Sequence, residues 1–116
     1  MIEVKGSEVL VAEKNIKELV EKFGTPFFLF SEKELEKNFS ELKKSISANY
    51  KKTRIDYSVK TNNELAILKK VRSLGSDAEI ACGYELLLVK EAGFQPSQIT
   101  FDGPCKTREE LKLAVN

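Results

Sequence analysis

Apolar residues in the first half of the chain form two helical stripes that are separated by a short apolar run. The stripe over Asn15–Phe23 predicts a helix that Gly24 ends. The apolar run Phe27–Phe30 predicts a short strand. Ser31 and Glu34 have the spacing of a capping box and predict the start of a second helix. That helix carries its apolar stripe on Leu35, Phe39, Leu42 and Ile46, and its lysines and glutamates form a solvated face.

From Arg54 onward, strand and helix patterns alternate three times. Strands are predicted over 55–60, 77–82 and 98–102, at a spacing of about 22 residues. Strands that alternate with short helices form a parallel sheet, so the fold class is α/β. The short, regular repeat favours a (β/α)₈ TIM barrel over an open doubly wound sheet. The predicted helices are Asn63–Leu74, Tyr84–Ala92 and one from Arg108 that has Thr107 and Glu110 as its capping box.

These elements amount to about three βα units, which is the N-terminal part of a barrel of about 250 residues. We expect residues 1–30 to supply a helix and a strand that lead into the barrel. Residues 31–116 are then expected to form its first, incomplete part.

On each of the three predicted strands, every second residue is polar. Because alternate residues of a strand face opposite ways, these side chains share one face of the sheet. We interpret that face as the barrel interior, with Lys60 near its upper rim and Glu79 within reach on the next strand. A sheet with one face open to water is the alternative that parity leaves open. The polar set is Asp56, Ser58, Lys60, Asp77, Glu79, Gln98, Thr100 and Asp102.

Composition narrows the function classes. The 116 residues are 41% hydrophobic and 32% charged, with a net charge of +1, which argues against a dedicated nucleic-acid surface. No apolar run approaches the roughly 20 residues of a membrane span, and the first residues lack a signal-peptide core, so we expect a cytoplasmic protein. Histidine is absent, which excludes Ser-His and Cys-His pairs within the chain. Cys82 and Cys105 lack metal-ligand spacing; no metal site is predicted, and both are interpreted as reduced packing thiols.

Lys60 is the candidate reactive residue. It follows a predicted strand at the carboxyl end, where α/β proteins bind ligands. A neutral lysine amine can attack an aldehyde and carry a carbonyl cofactor as a Schiff base. A nearby carboxylate such as Glu79 would orient the amine. An ordinary salt bridge that joins two strands is the alternative interpretation of the same pair.

Four segments carry a family resemblance. Tyr57-Ser-Val-Lys-Thr-Asn62 resembles the Tyr-Ala-Val-Lys-Ala-Asn motif of the fold-type III pyridoxal-phosphate decarboxylases, the diaminopimelate and ornithine decarboxylase group. Gly24–Ser31, Asp77–Leu86 and Phe101–Lys106 resemble further segments of that family, in the same order and spacing. The overall pattern is closer to diaminopimelate decarboxylase than to ornithine decarboxylase.

The resemblance implies a role for several residues. Lys60 corresponds to the lysine that forms the Schiff base with pyridoxal 5'-phosphate. Ser58 stands where the family has a small residue beneath the cofactor, and Glu79 stands at an acidic position near that lysine, usually aspartate. Thr61 replaces the usual alanine. Glu85 and Lys106 match a structural acidic position and a turn lysine that holds loops.

The resemblance also implies a reaction and its setting. The substrate amine would displace Lys60, the α-carboxylate would leave, and the cofactor ring would stabilise the resulting carbanion. We therefore expect a carboxy-lyase of amino-acid metabolism, within lysine biosynthesis, that acts on a small amino acid. The full-length protein is expected to be a cytoplasmic homodimer with no nucleic-acid or membrane partner.

Much of the resembled site lies outside this sequence. The Gly-rich phosphate loop, the ring partners and the catalytic cysteine of the family come further along, so the 116-residue chain alone is expected to be inactive. Three alternatives stay open: a racemase of the same fold, a decarboxylase of a carrier-bound amino acid, and a truncated, non-catalytic homologue that binds cofactor or a partner. Thr61-Asn-Asn-Glu-Leu65 counts against the racemase.

Overall fold

The structure is a computed structural model that describes residues 2–115. The chain forms two compact units, one ending at Ser40 and the other beginning at Glu41. That boundary lies within a helix, whereas the sequence pattern placed a division after residue 30. The predicted division states which segment leads into the barrel and which segment forms it. A division into compact units does not test that statement, so it stays a prediction.

The first unit opens with a three-stranded antiparallel sheet that the sequence pattern did not predict. Its strands are β1 Ile2–Lys5, β2 Glu8–Val11 and β3 Lys14–Asn15, in the order β1-β2-β3. Gly6 has φ +63° in the first turn, and Ala12 and Glu13 have φ +50° and +68° in the second. Positive φ at two central residues gives a hairpin turn whose twist matches the strands.

Helix α1, Ile16–Phe23, confirms the predicted first helix. The Asn15 side chain caps it by accepting a hydrogen bond from the Lys17 backbone N–H at 2.9 Å. Gly24 ends it with φ +74°, and its N–H donates to the Val20 carbonyl at 2.8 Å.

The strand predicted at Phe27–Phe30 is wrong. Within the part of the chain that the structure describes, residues 24–31 form no strand, and the Phe28 side chain is 92% exposed. A short apolar run indicates a strand only when a neighbouring strand takes up its backbone hydrogen bonds. This run pairs with no described strand.

Helix α2, Glu32–Asn49, begins as predicted. The Glu34 N–H donates to the Ser31 hydroxyl at 3.3 Å, which is the first half of the expected capping box. Leu35, Phe39 and Ile46 of the apolar stripe are half-buried.

The second unit contains the predicted parallel sheet. Its strands β4 Asp56–Ser58, β5 Asp77–Ile80 and β6 Ile99–Phe101 run parallel in the order β4-β5-β6. The helices between and after them confirm the predicted βα alternation. They are α3 Leu65–Ser73, α4 Gly83–Glu91 and α5 Arg108–Val115, and short 3-10 helices cover Val59–Thr61 and Pro96–Gln98.

Helices α3 and α4 pack on the apolar face of this sheet. On β5, Ala78 and Ile80 are fully buried, whereas Asp77 and Glu79 are half-buried, as parity predicts. The buried hydrophobic core comprises Val59, Leu68, Val71, Ala78, Ile80, Leu86, Val89, Ala92 and Phe94. The opposite face holds the polar side chains. Among residues 2–115, no helix is long and apolar enough to span a bilayer.

Candidate functional site

Lys60 lies in the 3-10 turn Val59–Thr61 that follows β4, and its side chain is exposed. The strand was predicted to run to Lys60 but ends at Ser58, so the alternation that placed Lys60 on the polar face of the strand does not extend to it. Val59 is fully buried and anchors the turn in the core. The amine is therefore at the carboxyl edge of the sheet, as predicted, but on a turn instead of on the strand.

Two side chains brace the Lys60 turn. The Thr61 hydroxyl donates to the Ser58 carbonyl at 2.7 Å, which closes the turn on the strand side. The Tyr57 hydroxyl donates to the Asn62 carbonyl at 3.0 Å, which spans the turn from one end to the other. Together they fix the backbone on both sides of Lys60.

Ser58 and Glu79 are in direct contact. They are register partners on β4 and β5, and the Ser58 hydroxyl donates to Glu79 Oε2 at 2.6 Å. Both side chains are half-buried. Within residues 2–115, Glu79 makes no hydrogen bond or ion pair with Lys60, so neither the predicted contact that would orient the amine nor the alternative salt bridge between the strands is present in the described structure. The structure thus joins two of the three predicted site residues, and the Lys60 amine has no hydrogen bond or ion pair with any other described residue.

Arg54 organises the lower half of the same polar face, and the sequence reasoning did not single it out. Its Nε lies 2.6 Å from Asp56 Oδ1 and 2.9 Å from Asp77 Oδ2, and Nη2 donates to the Thr100 hydroxyl at 3.0 Å. Thr100 in turn donates to Asp56 Oδ2 at 2.8 Å. One cation therefore links all three parallel strands. Arg54 stands two residues before Asp56, so the alternation along the strand predicts that both lie on the polar face; this spacing was the sequence signal for Arg54.

The loops at the carboxyl edge are held by side chains that bind backbone atoms. Glu85 is buried, and its Oε2 accepts the Ala81 N–H at 2.7 Å, which confirms a structural role. Lys106 donates to the Gly103 carbonyl at 2.7 Å and lies 5.2 Å from the centre of the Phe101 ring, as expected of a turn lysine. These contacts position the loops that surround the Lys60 edge.

Glu110 joins the starts of two helices at this edge. The predicted capping box is confirmed: the Thr107 N–H donates to Glu110 Oε2 at 2.9 Å, and the Glu110 N–H donates to the Thr107 hydroxyl at 3.1 Å. The second carboxylate oxygen accepts the Gly83 N–H at the start of α4, at 2.8 Å. The backbone N–H groups of Thr107 and Gly83 and the Thr107 hydroxyl hold the pKa of Glu110 below its ordinary value.

The two cysteines are both free thiols, but their environments differ. Cys82 is half-buried at the start of α4. Cys105 is exposed, so its interpretation as a packing thiol is wrong. It lies in the loop between β6 and α5.

Taken together, these features define a class of protein: a parallel βα structure that presents an exposed lysine amine at the carboxyl edge of its sheet. Near that lysine, on the last residue of β4 and its register partner on β5, lies a hydroxyl–carboxylate pair. That donor set fits a carbonyl cofactor, because a lysine amine with no ion pair among the described residues can, when neutral, bond to an aldehyde carbon. Residues 32–116 match the family described as pyridoxal-dependent decarboxylase, pyridoxal binding domain. The chain belongs to this family, whose cofactor is pyridoxal phosphate.

Individual relatives agree with the family match. The chain is 33% identical over 115 residues to diaminopimelate decarboxylase of Aquifex aeolicus, covering 99% of this chain and 26% of that protein. It superposes with a TM-score of 0.85 and 32% identity on the crystal structure of diaminopimelate decarboxylase from Methanocaldococcus jannaschii in complex with L-lysine, covering 99% of this chain and 27% of that one. It is also 34% identical over 103 residues to an L-glutamyl-[acyl-carrier protein] decarboxylase of Niallia circulans, covering 89% of this chain and 23% of that protein.

The chain thus spans about a quarter of the length of the relatives it matches. Its three βα units are the first part of the (β/α) barrel of these decarboxylases, which confirms the predicted fold.

Proposed function

We propose that this chain is the lysine-bearing part of a pyridoxal-phosphate-dependent amino-acid decarboxylase, most similar to diaminopimelate decarboxylase, in which Lys60 holds the cofactor. The family match over residues 32–116 carries this proposal, since that span contains the whole parallel sheet and the Lys60 turn. When bound, pyridoxal phosphate supplies the electron-accepting ring that makes loss of an α-carboxylate feasible.

The contribution of the chain is to place an amine and a carboxylate at one edge of the sheet. Lys60 would hold the cofactor through its neutral amine, and the braced turn limits the positions that its backbone can adopt. By the family resemblance Ser58 would lie beneath the cofactor, and Glu79, held by Ser58, would contribute negative charge beside it. That charge would favour a cationic nitrogen on the group that Lys60 carries, after the amine has reacted.

The expected setting is a small amino-acid substrate, a cytoplasmic location and a homodimer of the full-length protein. The relative solved with L-lysine bound supports an amino-acid ligand. The homodimer and the location rest on the family resemblance.

The proposal is tested with the protein encoded by the complete reading frame that contains this sequence. Carbon dioxide release is measured with diaminopimelate, lysine, ornithine and arginine, with and without pyridoxal phosphate. We expect release from diaminopimelate that requires the cofactor and is lost in Lys60→Ala but kept in Lys69→Ala, which changes an exposed lysine of α3. Release that continues without the lysine would contradict the proposal.

The 116-residue chain is the companion sample. It is expected to release no carbon dioxide and to hold pyridoxal phosphate weakly, because it spans about a quarter of its relatives. Tight, stoichiometric cofactor on the short chain would contradict the second expectation.

A carrier-bound amino acid is the second candidate substrate. The Niallia circulans relative, whose name specifies a carrier-protein substrate, is as similar in sequence as the diaminopimelate decarboxylases. A glutamyl group on an acyl-carrier protein therefore belongs in the substrate panel, and activity on it alone would select this candidate.

A further inference from the structure

Three departures from the family motif are linked by hydrogen bonds around Lys60. Ser58 and Thr61 replace the two alanines of Tyr-Ala-Val-Lys-Ala-Asn, and Glu79 replaces the usual aspartate. In the structure, Thr61 donates to the Ser58 carbonyl at 2.7 Å, and the Ser58 hydroxyl donates to Glu79 at 2.6 Å. Ser58 and Glu79 are therefore linked through their side chains, whereas Thr61 bonds to a backbone carbonyl that any residue at position 58 would offer.

Ser58 is the centre of these contacts. Its carbonyl oxygen takes part in the Lys60 turn, and its hydroxyl holds the carboxylate on the neighbouring strand. A glutamate is longer than an aspartate by one carbon–carbon bond, about 1.5 Å. The extra length lets the carboxylate reach across to its register partner on β4. An alanine at position 58 would offer no donor to hold it there.

We propose that Ser58 is a positioning residue: its hydroxyl fixes the Glu79 carboxylate on β4 and so sets where that negative charge lies relative to the group that Lys60 carries. This inference rests on the proposed function. Ser58 acts through Glu79, so its effect depends on the presence of the longer carboxylate.

The test is a double-mutant cycle on the product of the complete reading frame, with Ser58→Ala, Glu79→Asp and the double variant. Two quantities are measured: kcat, and the pH at which the visible absorbance of the bound cofactor changes. Ser58→Ala is expected to lower kcat by roughly tenfold to a hundredfold, the loss of one hydrogen bond to a charged group. It should also move the absorbance midpoint by about half a pH unit. In the Glu79→Asp background, Ser58→Ala should change neither quantity further.

Three comparisons make the result specific. Ser58→Thr keeps the hydroxyl and should restore both quantities. Ser73→Ala is the matched control, because it removes an exposed serine hydroxyl whose one partner among the described residues is the Lys70 carbonyl within α3, and it should change nothing. Melting temperatures establish that every variant is folded.

The outcomes separate this inference from the proposed function. A wild-type protein that carries no cofactor on Lys60 overturns the proposed function, and this inference with it. A wild-type protein that carries the cofactor, with a Ser58→Ala effect that is absent or equally large in both backgrounds, overturns this inference alone.

Discussion

The Glu110 carboxylate accepts the Gly83 N–H at 2.8 Å, so the residue that caps α5 also satisfies the first turn of α4. The Glu110 side chain packs closely against Gly83, because a Cβ added at position 83 would lie only 3.1 Å from Glu110 Cγ. It joins two successive βα units at the edge that carries Lys60.

Removing this carboxylate should destabilise the fold. In Glu110→Ala, the N–H groups of Gly83 and Thr107 lose their acceptor, and α5 loses its capping box. We expect a fall of several degrees in the melting temperature. Glu109→Ala removes an exposed glutamate from the same helix turn and should leave the melting temperature nearly unchanged. Equal effects of the two substitutions would contradict this account.

Stability should also depend on pH through Glu110. Its pKa in the folded chain is lowered from 4.5, chiefly by the backbone N–H of Thr107 and then by that of Gly83. A lowered pKa means that the carboxylate stabilises the fold above the unfolded value of 4.5, and that this stabilisation is lost as the pH falls through the lower folded pKa.

The measurement compares wild type with Glu110→Gln, which does not titrate. The melting-temperature advantage of wild type should be constant from about pH 7 to pH 5 and should shrink as the pH falls below about 4.5. An advantage that persists unchanged at about pH 3 would refute the role of ionised Glu110.

Arg54 should be the main stabilising charge on the polar face. Asp56 and Asp77 are register partners, so without Arg54 two carboxylates face each other across β4 and β5. The arginine side chain is 44% exposed, and solvent limits each ion pair to about 0.5–1 kcal/mol. We therefore expect Arg54→Met to lower the free energy of unfolding by about 1–3 kcal/mol in urea titration.

Two further variants test why Arg54 matters. Arg54→Lys keeps the charge but lacks the planar fork that reaches three partners, so it should recover only part of the loss. Arg72→Met changes an exposed arginine of α3 that has no ion pair within residues 2–115, and should have little effect. A loss in Arg72→Met as large as in Arg54→Met would point to a general charge effect.

The Lys60 turn should depend on its Tyr57 brace. Tyr57→Phe removes the hydrogen bond to the Asn62 carbonyl and keeps the ring. The expected loss is about 0.5–1.5 kcal/mol of unfolding free energy, together with weaker cofactor retention in gel filtration. Tyr84→Phe is the matched control, since Tyr84 is 63% exposed and its hydroxyl has no partner among the described residues. If both variants retain cofactor equally, the brace has no functional role.

The second half of the fold could be predicted from the sequence because its signals are local and repeated. Alternation on β5 predicted the buried pair Ala78 and Ile80, and the Thr107–Glu110 spacing predicted the capping box. Both depend on residues fewer than five positions apart, where periodicity and hydrogen-bond geometry leave few options.

The errors arose where the turn residues give no local signal or where the outcome depends on distant partners. The N-terminal sheet turns at Ala12 and Glu13, two residue types that give no sign of positive φ. The apolar run at Phe27–Phe30 resembles a strand but has no partner among the described strands.

The candidate site shows the same limit. The position of Lys60 near the strand end could be read from the pattern, but the early end of β4 at Ser58 could not. The contacts of Arg54 and of Ser58 with Glu79 depend on strand register, which a single sequence does not specify.

The central claim is that Lys60 carries the cofactor, and chemical trapping tests it most directly. The product of the complete reading frame is incubated with pyridoxal phosphate, reduced with borohydride, digested and examined by mass spectrometry. The account predicts one stoichiometric pyridoxyl adduct on Lys60, which is lost in Lys60→Arg and kept in Lys69→Arg. No adduct, or an adduct on another lysine such as Lys106, would contradict it.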